Sequence, residues 1–232
     1  MSMTFHGFQK MTLLDFPGKV ACTLFTGGCN FRCPFCHNAG LVLTPQAWES
    51  YEAEDILAFL KKRQGLLDGV CITGGEPLLN HDLPEFMKNV KELGFLIKLD
   101  TNGSYPDRLQ DIVAAGLADY VAMDIKNCRK KYPVTVGLPS YDIRPIEESV
   151  AFLLSGAVDF EFRTTVVREF HAVEDIQAIG EWIAGTPRYF LQNFVDSGAL
   201  IGEGMHAVSP EILEEMQKSL VPYGIHADVR GL

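Results

Sequence analysis

No apolar run in this chain approaches the ~20 residues that a bilayer span needs, and no basic stripe follows it, since 20 Lys and Arg stand against 30 Asp and Glu for a net charge of −10. Neither a membrane nor nucleic acid is therefore expected as a direct partner. With 21 glycines and 12 prolines among 232 residues, the chain is too poor in both to be a low-complexity or collagenous polymer. Tryptophan occurs twice, and both Trp48 and Trp182 read as packing residues. The start, Met1-Ser2-Met3-Thr4-Phe5-His6, lacks the charged opening and continuous apolar stretch of a secretory leader, which points to a reducing cytoplasm. Six cysteines in that setting are not a disulfide framework.

A hydrophobic content of 47% is ample for one core, and no linker or repeat divides the chain, so residues 1–232 read as a single domain. Apolar, β-rich runs recur at Val20–Phe25, Val70–Thr73, Phe95–Leu99, Tyr120–Ile125, Phe160–Val167 and Tyr189–Val195. Between them Ile56, Leu57, Phe59 and Leu60 share one helical face, Leu83, Phe86, Met87 and Val90 a second, and Leu109, Ile112 and Val113 a third. Nearly continuous apolar strands, each followed by an amphipathic helix, predict an α/β fold. Its parallel strands and outer helices form a partial (β/α)6 barrel rather than the closed eight-unit form. Ser50 with Glu54, Pro145, and Ser209-Pro210-Glu211 mark helix starts. The longest loops, Ala39–Ala53 and Asn127–Tyr141, follow strand ends, where such a fold places its chemistry.

The decisive segment is Cys29-Asn30-Phe31-Arg32-Cys33-Pro34-Phe35-Cys36, in a loop spanning 26–38. Thiolates are the usual ligands of iron–sulfur clusters, and a [4Fe–4S] cube with four cysteines would leave no iron open. Three ligands, Cys29, Cys33 and Cys36, leave one iron free to bind a small molecule, as open catalytic metal sites do. A zinc site of these cysteines and His37 is the alternative, strained because Cys36 and His37 are adjacent. Cys22 and Cys71 lie inside predicted strands and read as small buried hydrophobes, and Cys128 is likewise read as a non-ligand.

Gly18-Lys19-Val20 through Phe25, then Gly27-Gly28-Cys29 and Phe35-Cys36-His37-Asn38, resemble the signature of the glycyl-radical-enzyme activating branch of the radical SAM superfamily. Gly7-Phe8-Gln9-Lys10 and Leu14-Asp15-Phe16-Pro17-Gly18-Lys19 look most like the activating proteins of anaerobic ribonucleoside-triphosphate reductase. The resemblance implies a [4Fe–4S] cluster and S-adenosylmethionine (SAM) as cofactors. It also implies reductive cleavage of SAM and removal of a hydrogen atom from a glycine Cα of a partner enzyme. No side-chain general base is needed.

At the other strand ends, Gly74-Gly75-Glu76 reads by itself as a turn that lets a ligand approach the main chain; the resemblance implies that it holds the amino group of SAM. Asp100, Thr101 and Asn102 end the third strand and Asp124-Ile125-Lys126 the fourth. By themselves these carboxylates could balance a cation and the lysine a carboxylate, or Asp100 and Asn102 could cap a helix. The resemblance implies a possible monovalent-cation site at Asp100, Thr101, Asp124 and the carbonyl near Ala122, with Lys126 at the methionyl group of SAM. Arg163 interrupts an apolar strand, so it faces either a polar cavity or the outer surface; the resemblance turns it toward SAM. Phe35 takes the aromatic position that flanks adenine, and Gln192 or Asn193 replaces an adenosine-contacting histidine.

His6, His81, His171, His206 and His226 show no ligand spacing and read as surface or satisfied structural residues. Lys126–Lys131 is a basic exception in an acidic chain, either a solvated loop or a docking point, through Arg129, Lys130 and Lys131, for a flavodoxin-type electron donor or the partner protein. The leading reading is an activase of a glycyl-radical enzyme, with anaerobic ribonucleotide reductase as partner. Alternatives are a formate-lyase-type partner, radical chemistry on a small molecule, and a zinc-stapled binding module without catalysis.

Overall fold

The structure, a computed structural model, describes residues 3–230; the readings made at Met1 and Ser2, and the last two residues of the expected single domain, lie outside it. Among the described residues the strands are β1 (Thr4–Phe5), β2 (Gly7–Thr12), β3 (Ala21–Thr26), β4 (Tyr51–Glu52), β5 (Gly69–Gly74), β6 (Leu96–Thr101), β7 (Tyr120–Asp124), β8 (Asp159–Val166), β9 (Tyr189–Asn193) and β10 (Asp228–Arg230). The helices are α1 (Ala39–Leu43), α2 (Ala53–Lys61), α3 (Leu83–Glu92), α4 (Pro106–Ala114), α5 (Tyr132–Thr135), α6 (Arg144–Leu154), α7 (Val173–Trp182) and α8 (Pro210–Ser219). This is the expected mixed α/β architecture, parallel strands with flanking helices, and no described helix is long and apolar enough to cross a membrane.

The chain forms two compact units: residues up to Asn30 with Gly40–Thr101 and Tyr105–Val121, and Phe31–Ala39 with Asn102–Ser104 and Ala122 onward. In the first, strands lie in the order β6-β5-β3-β2, parallel except for β2, which runs antiparallel to β3. Register places Thr26 opposite Gly74, so β3 and β5 end level. Of the expected helical faces that of α3 is wholly buried, Leu83, Phe86, Met87 and Val90 each being 0% exposed, whereas Leu57 and Phe59 of the first and Val113 of the third are half-buried. Glu85 in its first turn and Lys91 in its last oppose the helix dipole.

In the second unit β8, β9 and β10 are parallel neighbours. Arg144-Pro145 opens α6, and Ser209 caps α8 by accepting from the Ile212 N–H, both as expected. α2 starts at Ala53 after Glu52, not at Ser50. The supposed loop Ala39–Ala53 contains α1, a 3-10 turn at Pro45–Ala47 and the short β4, and Asn127–Tyr141 contains α5. Trp182 is 8% exposed as a packing residue should be, whereas Trp48 is 54% exposed, its indole lying flat against the bare Cα of Gly40.

Candidate active site

In the first unit, three strand ends supply the expected residues. β5 ends in Gly74, whose φ of +118° only glycine holds without strain, and the next residues fold back on β3. Gly75 N–H donates to Thr26 O at 2.9 Å and Glu76 N–H to Gly28 O at 2.8 Å, while Gly28 N–H donates to Leu41 O at 2.8 Å. A Cβ at Gly75 would strike the Gly28 carbonyl, so the Gly-Gly pair is what lets this turn grip the residue just before Cys29. Glu76 is fully buried; its Oε1 accepts from Leu78 N–H at 3.0 Å and from the Thr101 hydroxyl at 2.8 Å. Asp100, beside Thr101, accepts from Lys98 Nζ.

The second unit carries Cys33 and Cys36, joined by a turn in which Cys36 N–H donates to Cys33 O at 3.0 Å. Two distant segments pin this loop: Arg32 N–H donates to Val136 O at 2.9 Å, and Gly202 N–H donates to Pro34 O at 2.7 Å. Gly137, at φ +72°, has no Cβ to meet the Arg32 carbonyl. Phe35 is 3% exposed, its ring packed on Phe170 at 5.7 Å and against His171 at 6.5 Å. Asn102 turns its Oδ1 to the Ser104 N–H at 2.9 Å, the local hydrogen bonding that residue favours.

At the end of β7, Asp124 accepts from Lys126 Nζ at 2.9 Å and from Arg163 Nε at 3.0 Å. Burial alone would raise its carboxyl, but Lys126 and then Arg163 prevail and hold it down at about 2. Burial opposes charge on Lys126; Asp124 and, after it, the nearby sulfurs of Cys33 and Cys36 favour keeping its proton. Arg163 thus faces this polar group rather than the outer surface. Burial pushes the Cys36 thiol up, with Lys126 and Arg32 among the groups that draw it back. Asn193 is committed to Val208, bonding both its N–H and its carbonyl at 3.1 Å, which leaves Gln192 as the side chain of the two free of that duty.

None of the six cysteines is in a disulfide. Burial pushes Cys22 up to about 12 and raises Cys71 further and Cys128 as well, the direction it also gives Cys36, so it is position in the loop and not burial that sets Cys36 apart. Among the described residues no three His, Cys, Asp or Glu side chains are grouped to hold a single metal ion, as a zinc staple would demand. His37 points elsewhere, its Nε2 2.8 Å from Val195 O and its ring stacked on Phe194. A cube binds each thiolate through a different iron, so Cys33 and Cys36, two spaced thiols on a pinned backbone, suit it without meeting at one point.

His171, read from the sequence as a surface or satisfied structural histidine, is the latter, whereas Lys98 was not singled out. His171, 4% exposed, meets Lys126 O through Nε2 at 2.9 Å and receives Val167 N–H at Nδ1, so it props the backbone of Lys126. Lys98 is a charge in an apolar strand, the very signal that drew attention to Arg163. The clamp at Gly202 had no local signal.

Residues 23–182 match the sequence profile of the Radical SAM superfamily. A Methanocaldococcus jannaschii protein provisionally named a glycyl-radical enzyme activating enzyme is 32% identical over 201 residues, 84% of this chain and 81% of that one. The pyruvate formate-lyase-activating enzyme of Clostridium pasteurianum is 32% identical over 132 residues, 53% of this chain and 52% of that one. Among solved structures, a radical SAM methyltransferase from Sphaerobacter thermophilus is similar with a TM-score of 0.75 over 95% of this chain and 68% of that one, at 15% identity. A domain of pyruvate-formate lyase-activating enzyme from Bacteroides vulgatus gives a TM-score of 0.57 over 70% and 99%, at 19% identity. At these identities the two structures show a shared fold.

Proposed function

The chain belongs to the radical SAM superfamily and to its glycyl-radical-enzyme activating branch, and from that premise we propose that Cys29, Cys33 and Cys36 hold a [4Fe–4S] cluster at which SAM is cleaved to place a glycyl radical on anaerobic ribonucleotide reductase. Family membership itself makes the protein a radical SAM oxidoreductase and implies the cluster and SAM as its cofactors. The observation that carries the residue assignment is the pinned backbone around Cys33 and Cys36, with Lys126 close enough to feel both sulfurs. With SAM, such a cluster supplies a one-electron cleavage of the sulfonium bond, the source of a hydrogen-abstracting radical.

The chain's own residues bind and orient. The turn at Gly74, Gly75 and Glu76 offers main-chain groups to the amino end of SAM, while Lys126 and Arg163, already charged, offer hydrogen bonds to its carboxylate. Asp124 keeps those two cations in place. Phe35, with its ring packed away, presents its main chain to the adenine, and Gln192 its amide. A radical that attacks whatever is nearest makes orientation and exclusion of water the protein's main task.

The reductase is favoured as partner by Gly7–Lys10 and Leu14–Lys19, a flavodoxin-type protein is the proposed electron donor, and the reducing cytoplasm is the proposed setting. The likeness to the Clostridium pasteurianum enzyme favours a formate-lyase-type partner as the second reading. Anaerobic reconstitution followed by incubation with SAM and each candidate partner decides between them. The expected result is 5′-deoxyadenosine together with a glycyl radical signal on the reductase. A signal on the formate-lyase type alone would move the assignment, and 5′-deoxyadenosine without any glycyl signal would point to a small-molecule substrate.

A further inference from the structure

Lys98 is 2% exposed on β6, two residues before Asp100, so both side chains leave the strand on one face. Its ammonium donates to Asp100 Oδ1. Across the sheet, Cys71 stands opposite Lys98 and Thr23 opposite Cys71, and the Thr23 hydroxyl donates to Asp15. A buried ammonium needs a counter-charge close by, and a carboxylate so engaged no longer seeks a second cation.

Of the other positions that the family resemblance connects with a monovalent cation, Asp124 is engaged in the same way. Thr101 gives its hydroxyl proton to Glu76, and both oxygens of Asp124 are taken, one by Lys126 and one by Arg163. A sodium or potassium ion brought to either aspartate would sit beside a fixed side-chain cation and be repelled. These residues do not fit the cation.

We propose that Lys98 is a built-in replacement for that ion: its ammonium neutralises Asp100 as Lys126 and Arg163 neutralise Asp124, so this chain folds and binds SAM without sodium or potassium. Lys98 is then a positioning residue for Asp100. The part that concerns SAM rests on the function proposed above; the part that concerns the cation does not.

The test compares the full-length reconstituted protein in sodium or potassium chloride with tetramethylammonium chloride at equal ionic strength. The melting temperature of the wild type should change by less than about 1 °C, with no saturable broadening of the sodium-23 resonance, and its SAM affinity by less than about twofold. Lys98→Met should acquire what the wild type lacks: stabilisation by sodium or potassium, saturable sodium broadening, and an affinity for SAM that rises about tenfold with the ion. Saturable sodium binding by the wild type, or a folded Lys98→Met that ignores the ion, overturns the proposal. If Lys98→Met does not fold, the double variant Lys98→Met with Asp100→Asn removes both charges and should fold again; failure to recover overturns it equally. Sodium binding is read without SAM, so a failure of the functional reading leaves a different trace from a failure of this one.

Discussion

Arg163 Nε lies 3.0 Å from Asp124 Oδ1, so a charge from the middle of one apolar strand is answered by a carboxylate at the end of another. Lys126 takes the second oxygen at 2.9 Å. The carboxyl falls from an ordinary 3.8 to about 2, which means that the folded state binds its proton less readily than the unfolded chain does. The stability this gives is fully present above pH 3.8 and is lost as pH falls toward 2, amounting to about 2 kcal/mol. Asp124→Asn should therefore flatten the acid limb of the unfolding curve between those values. At neutral pH it should cost about 3 kcal/mol, because two mostly buried cations lose their partner. Urea melts at several pH values check both, and an unchanged acid limb would show that the group is not coupled to folding.

The cysteines divide by position, three in the loop after β3 and three elsewhere. Cys29, Cys33 or Cys36 changed to Ser should reduce iron and sulfide from roughly four of each per chain to near zero. Cys22→Ala, Cys71→Ala and Cys128→Ala should each keep the cluster while melting somewhat lower, since their buried side chains serve packing. Metal analysis after anaerobic reconstitution separates the two groups, and zinc at one per chain that resists iron would refute the assignment.

Gly75→Ala offers a sharper probe of the turn that holds the cysteine loop. Its new methyl would meet the Gly28 carbonyl, forcing apart the contact through which Glu76 N–H holds Gly28 O. Loss of cluster content and of SAM binding is expected. Gly94→Ala is the control: nothing stands within 4 Å of its Cβ, though its φ is +87°, so it should cost about 1 kcal/mol and keep the cluster. Equal iron retention in both would mean that the turn can open without consequence.

His171 is held neutral. Burial draws its imidazole below the ordinary value, against carbonyls of Lys126 and Val167 that favour the charged form. A histidine with a depressed folded value stabilises above its unfolded value of 6.5 and loses that stability as pH falls. The wild type should accordingly lose stability from pH 7.5 to 5.5, and His171→Gln should lose less across the same interval. SAM affinity of the variant at pH 7.5 should drop as well, because the Lys126 backbone loses its prop. Identical pH profiles would place the acid sensitivity elsewhere.

β3, β5, β6, β7, β8 and β9 were legible because each is a nearly continuous apolar run, a pattern set by burial on both faces. β1, β4 and β10 were not, since two or three residues carry no period; Asp228-Val229-Arg230 reads as a polar tail until Arg230 is seen over the Phe190 ring at 3.5 Å. The three cysteines were legible from spacing alone. What pins their loop was not: Val136 and Gly202 lie far along the chain and meet it only through backbone hydrogen bonds, which leave no mark on residue type. Lys98 shows a different lapse. Its placement between Ile97 and Leu99 carries the same physical warning as Arg163, a charge that burial makes costly unless it is paired.

The basic loop after β7 is less available for docking than its composition suggests. Arg129 pairs with Glu147 at 2.8 Å and lies over the Trp182 ring at 4.7 Å, and Lys131 pairs with Asp175, which also caps α7 through the Ala172 N–H. Among the described residues, Lys130 is the one of the three without an ion pair. An exposed charge at a docking site acts mainly on the association rate and is screened by salt. Lys130→Ser should therefore slow reduction of the cluster by a flavodoxin-type donor a few-fold at low ionic strength, and leave reduction by dithionite untouched. Lys131→Ser should instead lower the melting temperature, because Asp175 loses a partner, with a smaller effect on the donor. Stopped-flow reduction at two salt concentrations, set beside thermal melts of both variants, distinguishes these roles. A Lys130→Ser protein reduced by the flavodoxin-type donor at the wild-type rate in low salt would remove this loop from the docking surface.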